Sequence, residues 1–227
     1  FDLILPELNK ADIRFGGLEA SMSEKGTATT GKITMRHHPD MIEGYIAGGF
    51  DTVAFASNHC MDYGLEPFVE TMELLEKRGI AFSGSGRDIA EARTPVIIER
   101  KGVRVGFHTY VLNLPMGWGA NPRKPGVAPI RQDPLFGPPY VDEDELEAMA
   151  EDIKKTRSHV DVLLTTFHWG SSQSRTMTLS QQAAAHTAID AGADLIIGQH
   201  PHILQGIEIY KGKAICHALG NLVLDHD

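Results

Sequence analysis

Apolar positions along the chain fall into short blocks whose spacing switches between the period of a helix and that of a strand. Met41, Ile42, Tyr45 and Ile46, stopped by Gly48-Gly49, predict a short helix over 40–46. Residues 52–56 form a compact run expected of a buried strand. Pro67 opens a predicted helix with the stripe Phe68, Met72 and Leu75, and Gly79 closes it. Residues 94–99 and 103–111 flank Arg100-Lys101-Gly102 and read as a hairpin. Asp142, with Glu145 three positions on, opens a helix carrying Leu146, Met149 and Ile153 on one stripe. Strands are predicted over 160–167 and 194–198, separated by an alanine-rich helix capped by Ser180 and ending at Gly192. Residues 207–210 and 214–218 complete a second hairpin.

Alternating helices and strands predict a sheet-centred α/β fold, with the hairpins adding antiparallel strands. Residues 112–141 interrupt the alternation. They carry Pro115, Pro122, Pro125, Pro129, Pro134, Pro138 and Pro139, and so long a connection reads as a functional loop or lid. No internal repeat or low-complexity tract is present.

Composition narrows the function classes. The 227 residues suit one large domain, taken here as 1–227, with a substantial core. A net charge of −9 argues against nucleic acid as a partner, because phosphate neutralisation needs a basic face. It leaves room for a small-molecule or oligomeric anionic substrate if a bound cation supplies local positive charge. No apolar run approaches the ~20 residues of a membrane span. Cys60 and Cys216 are too few for a disulfide framework. The chain opens on Phe1 rather than methionine, so trimming at both ends is expected. The compartment stays open between cytoplasmic and exported, or anchored through a segment before Phe1.

The chemistry gathers where strands are predicted to end, which is where open α/β sheets collect ligands. The strand at 52–56 runs into Ser57-Asn58-His59-Cys60-Met61-Asp62-Tyr63-Gly64. The strand at 160–167 runs into His168-Trp169-Gly170, and that at 194–198 into Gln199-His200-Pro201-His202. If these strands lie parallel in one sheet, four histidines face one crevice. Neutral imidazole suits divalent transition metals, usually beside carboxylate oxygens. Glu19, after the strand-like residues 12–15, and Asp62 are the carboxylate candidates.

These residues carry a family resemblance. Asn58-His59-x-x-Asp62-Tyr63-Gly64, Gly84-Ser85-Gly86 with Glu91-Ala92 and Pro95, His168-Trp169-Gly170, Ala191-Gly192-Ala193-Asp194, Gly198-Gln199-His200-Pro201-His202 and Leu219-Gly220-Asn221 follow one another as in CapA-type poly-γ-glutamate capsule biosynthesis proteins. That family is a branch of the calcineurin-like metallophosphoesterase superfamily, and the resemblance covers roughly residues 11–225. It implies a four-layer sandwich, two packed mixed β-sheets flanked by helices, around two divalent ions (Mn, Fe or Zn). Glu19, Asn58, His168, His200 and His202 would be the metal ligands. His59 would be the catalytic acid, with Asp62 orienting it, and Asn221 would stand at the rim. Arg123, with Lys124 and Arg131, would meet an anionic substrate; plain solubility is the competing reading for these three. The implied activity is metal-dependent hydrolysis of a phosphoester or related bond. The alternatives are a non-catalytic polymer-binding accessory role and acyl or amide transfer in polyglutamate assembly.

The departures are specific. The superfamily's opening Asp and His motif does not occur in these residues. The family's Asn-Leu-Glu reads Gly17-Leu18-Glu19, and the acidic residue usual two places after His-Trp-Gly is Ser172, followed by Gln173. Elsewhere, His108 is expected in the core, and Cys60 as a buried inert thiol. His37, His38, His159, His186 and His217 are expected at the surface.

Overall fold

The computed structural model describes residues 3–133 and 140–223. Two β-sheets form its centre. The smaller contains β1 (Phe15–Gly17), β2 (Thr52–Ala54) and β3 (Ala81–Ser83), ordered β1-β2-β3 and parallel throughout. Helices α1 (Leu5–Leu8), α2 (Ile42–Ala47) and α3 (Leu65–Lys77) belong to this half of the chain. The short β4 (Ser85–Gly86) and α4 (Ile89–Ala92) lead out of it. β5 (Val96–Arg100) and β6 (Val103–Val111) then begin the larger sheet as the expected hairpin. β7 (Gly126–Val127) pairs back onto β4, and β8 (Gln132–Asp133) pairs with β9 (Tyr140–Val141). α5 (Glu143–Arg157), β10 (Val162–His168), α6 (Leu179–Ala191), β11 (Leu195–Gln199), β12 (Ile207–Tyr210) and β13 (Lys213–Cys216) follow. The larger sheet has the order β12-β13-β11-β10-β6-β5. Its four central strands are parallel, and an antiparallel strand closes each edge.

Each sheet buries one face under helices. On the smaller, Phe68, Met72 and Leu75 of α3 are fully buried with Val53 and Phe55. On the larger, Met149 and Ile153 of α5 and the alanines of α6 pack on Leu163, Phe167, Ile196 and Ile215. Small side chains let α6 approach the sheet closely. The sheets meet face to face through a stacked Phe15–Phe107 pair with centroids 5.4 Å apart. Beside it runs a buried hydroxyl ladder, Ser83 to Thr109 at 2.7 Å and Thr109 to Thr166 at 2.9 Å. The order of layers is therefore helix, sheet, sheet, helix, as the family resemblance implies.

Several details differ from the sequence reading. The condition that all these strands share one sheet is not met: those ending at Asn58-His59 and at His168 and His200 lie in the two sheets that the resemblance implies, so the crevice forms between sheets. α3 starts at Leu65, two residues before Pro67, whose missing N–H falls among the first-turn donors that lack helical partners anyway. Thr178, not Ser180, caps α6. Its hydroxyl accepts from the Gln181 amide while the Gln181 side chain accepts from the Thr178 amide. Ser180 instead donates to Gln132 at 2.7 Å. In the stretch expected as a functional loop or lid, Ala120, Val127, Ala128 and Ile130 are buried, and Pro129 bridges Val111. Its described part is a packed connection, held in place by apolar residues spaced between the prolines. Residues 134–139 lie outside the described residues. Among those described, no helix is long and apolar enough to cross a membrane.

Candidate metal centre

The C-terminal ends of the strands in both sheets open on the same crevice. From the smaller sheet, β1 leads to Glu19, and β2 leads through Ser57 to Asn58 and His59. Ser57 ties the two together, donating to the Glu19 carbonyl at 2.5 Å and accepting from the His59 amide at 2.8 Å. From the larger sheet, β10 ends on His168, and β11 runs into His200 and His202. His168 Nε2 lies 2.7 Å from Asn58 Oδ1 and 3.0 Å from His200 Nδ1. Glu19, His168 and His200 each offer a ligand atom, all within 4.8 Å of one another. Glu19 Oε1 stands 3.9 Å from His168 Nε2 and 3.6 Å from His202 Nε2.

Those last separations decide the fit. Glu19 Oε1 is buried and has no hydrogen-bond partner. A buried carboxylate oxygen without a partner is costly. Gaps of 3.6–3.9 Å are too wide for hydrogen bonds, yet suit two donors each about 2.0–2.2 Å from a shared ion. The charge states agree. Burial, and next the neighbouring His200, hold His168 well below the ordinary imidazole range. Burial, then His202, lowers His200 to about 4. Both rings are therefore neutral near pH 7 and offer lone pairs. Burial pushes the Glu19 carboxyl up, against the opposing pull of His202 and His59, so an added cation would be favourable there. The backbone carries a further sign. His200 and His202 have φ of +94° and +59°, a conformation that costs on the order of 1–3 kcal/mol for such residues and gathers at functional sites.

Around the cluster, other side chains orient its residues. Asn221 Oδ1 lies 3.0 Å from His202 Nδ1, so that nitrogen donates and Nε2 is left facing Glu19. His59 Nδ1 lies 2.5 Å from Asp62 Oδ2, and the Asp62 carboxylate is fully buried. Burial alone would raise the Asp62 pKa. Hydrogen bonds from His59, Lys32 and the Met35 amide outweigh it and hold the carboxyl below its usual range. A carbon added at Gly17 would overlap the Gln199 carboxamide, so Gln199 fills the space where the family pattern has an asparagine side chain.

The sequence-predicted set Glu19, Asn58, His59, Asp62, His168, His200, His202 and Asn221 is thus brought together. Arg123 is not. It stands exposed at the tip of the Asn121–Lys124 turn, and no hydrogen bond or ion pair links its side chain to the cluster. Lys124 turns to the Gly117 carbonyl, and Arg131 pairs with Glu145. Lys32, which sequence reasoning missed, reaches the Asp62 carboxylate at 2.5 Å. A single lysine in a polar stretch gives no signal of this placement. His108 and Cys60 are buried as expected, and burial pushes the Cys60 thiol up to about 12. His217 is a correction: it is fully buried, stacks beneath Trp169 and pairs with Glu208 at 3.1 Å. His186 is half-buried, bonded to Glu208 at 2.6 Å and stacked on Tyr210.

The family model described as bacterial capsule synthesis protein PGA_cap matches residues 1–226. The chain belongs to this family. Among PGA_cap relatives, the PGA biosynthesis protein CapA of Bacillus subtilis (strain 168) is 30% identical over 177 residues, which is 78% of this chain and 43% of that protein. A candidate polyglutamine synthesis accessory protein of Mycobacterium tuberculosis (strain CDC 1551 / Oshkosh) is 29% identical, covering 99% of this chain and 59% of its own length. The chain thus spans about half the length of these two relatives. Two solved structures show the same fold as this PGA_cap chain. A hypothetical protein from Thermus thermophilus superposes with a TM-score of 0.53 at 16% identity, over 96% of this chain and 69% of that one. A candidate 5'-nucleotidase from Staphylococcus aureus, in complex with alpha-ketoglutarate, gives 0.51 at 16% identity, over 79% and 34%. The fold is that of the metallophosphoesterases, and the family is the one resembled by the sequence motifs.

Proposed function

We propose that this chain is a metal-dependent hydrolase acting on a phosphoester or related bond in an anionic substrate. The observation that carries the reading is the partnerless, buried Glu19 Oε1 facing His168 and His202 from the opposite sheet. Glu19, His168, His200 and Asn58 would hold the metal, with His202 beside them. One or two divalent ions such as Mn, Fe or Zn, when bound, supply Lewis-acid charge and make a water more acidic. The chain's own residues supply the rest. Asp62 fixes His59 by accepting from Nδ1–H, so that the ring, once protonated on both nitrogens, would give its Nε2 proton to the leaving oxygen. The aliphatic and aromatic packing behind the strand ends keeps these groups rigid.

The mycobacterial relative's description as an accessory protein favours a second reading, in which the pocket binds an anionic polymer end without turnover. One experiment separates the two. Mn-loaded protein is assayed with bis(p-nitrophenyl) phosphate, alongside His59→Asn. Hydrolysis predicts turnover that falls by about 10²–10⁴ in kcat in the variant, with bound metal unchanged. Equal rates in parent and variant would contradict the role of His59. Bound metal without turnover would favour the binding reading.

A further inference from the structure

One stretch of chain makes three contacts with Asp62. The Thr29 amide donates to its carbonyl at 2.7 Å, and the Met35 amide to Oδ2 at 2.7 Å. Between them, Lys32 Nζ pairs with Oδ1 at 2.5 Å. The same ammonium donates to the Asn58 carbonyl oxygen and lies 3.5 Å from His59 Nδ1. The Trp118 ring covers it, with its centroid 4.9 Å from Nζ. An ammonium has three N–H donors. Here a carboxylate, a carbonyl and the face of an indole take up its surroundings, so it is built into the loop rather than held out to solvent.

The electrostatics explain why a cation is needed at this point. A fully buried carboxylate such as Asp62 requires compensating charge, and the Lys32 ammonium lies directly against it. Without Lys32, Asp62 would draw water or turn away, and His59 would lose the partner that selects its tautomer. The second contact matters as much. The Asn58 carbonyl belongs to the residue whose side chain meets His168, so Lys32 holds both halves of the Asn58-His59 pair.

We infer that Lys32 is a positioning residue that fixes Asp62 and the Asn58 backbone, so that the His59 ring stays anchored through Nδ1 with Nε2 as its free nitrogen. The kinetic consequence rests on the hydrolase reading above, whereas the anchoring does not. The test therefore has two readouts on Zn-loaded protein, comparing parent with Lys32→Met. The first is the ¹⁵N–¹H correlation spectrum of the histidine rings. In its neutral form, His59 gives a single Nδ1–H tautomer in the parent and a mixture in the variant. The second is hydrolysis of bis(p-nitrophenyl) phosphate at equal bound Zn. Here kcat falls about tenfold or more, part of the ~10²–10⁴ available to a positioned acid, while KM stays within about twofold. Lys32→Gln, which keeps a donor but not the charge, takes the same measurements if Lys32→Met does not fold. An unchanged His59 tautomer in the folded variant overturns the inference, as does an unchanged kcat in a parent that turns over. A parent with no turnover removes the hydrolase reading, and the tautomer comparison still decides the role of Lys32.

Discussion

His108 lies in β6 with its ring buried, and its Nε2 is 2.9 Å from the Thr156 hydroxyl. That hydroxyl spends its own proton on the Asp152 carbonyl at 2.9 Å, so Nε2 is the donor and the ring is neutral. Burial, then the nearby Arg93, lowers its pKa from 6.5 to about 4. Between those values the unfolded chain binds a proton that the folded chain refuses. Stability from this group is therefore complete above pH 6.5 and is lost as pH falls toward 4. The gap corresponds to up to about 3 kcal/mol. Denaturant unfolding at pH 7 and pH 4.5 tests it: the parent should lose more stability on acidification than His108→Gln. His168 and His200 act in the same direction, but they are common to both proteins. Equal losses would show that His108 is not the group responsible. The same residue shows what single positions reveal in sequence. A histidine in the middle of an apolar strand reads correctly as core. His217 was not legible in this way, because nothing local tells that the chain after β13 passes under Trp169. Lys32 was not legible either, since its partners Asp62 and Trp118 are distant in sequence.

The helices and hairpins were the most legible elements. Their capping residues, stripes and turns are local, so α3, α5 and both hairpins sit where the pattern placed them, within a few residues at their ends. Pairing between distant segments was not legible, because periodicity reports a strand without naming its neighbour. That is why periodicity alone left open whether the strands bearing Asn58 and His168 share a sheet, and the two-sheet arrangement came from the family resemblance. It is also why residues 112–141 read as a functional loop or lid, although Ala128 and Ile130 in the described part are fully buried. Close approach between elements now makes a sharp prediction at Gly198 in β11. A carbon added there would overlap the His217 carbonyl oxygen and the Trp169 indole nitrogen, which are themselves hydrogen-bonded at 2.8 Å. Neither can move without disturbing β10 or β13. Gly198→Ala should cost about 1–3 kcal/mol or more and should also weaken metal binding, since His200 follows two residues later. Gly206→Ala, where a new carbon meets nothing within 4 Å, should change stability by no more than about 0.5 kcal/mol. Thermal unfolding with metal analysis of both variants checks the pair, and equal behaviour would contradict the packing argument.

At the scale of the whole molecule, two sheets face each other so that strand ends from both supply one cluster. Neither sheet alone assembles the set: the smaller brings Glu19, Asn58 and His59, and the larger brings His168, His200 and His202. The residues of the candidate cluster were legible because each follows a predicted strand inside a family motif, whereas the geometry between the sheets depends on pairings that periodicity does not report. Metal should accordingly stabilise the packing of one sheet on the other, because an ion held only by the folded chain favours that state in proportion to its binding. The most direct test of the centre is the metal content of the protein after equilibration with Mn or Zn and removal of free ion. The parent is compared with a Glu19→Gln, His200→Ala double variant. A metal centre shared by the two sheets predicts about one or two equivalents per chain in the parent and a loss to background in the variant. Metal-free parent protein, or equal metal in both, would contradict it.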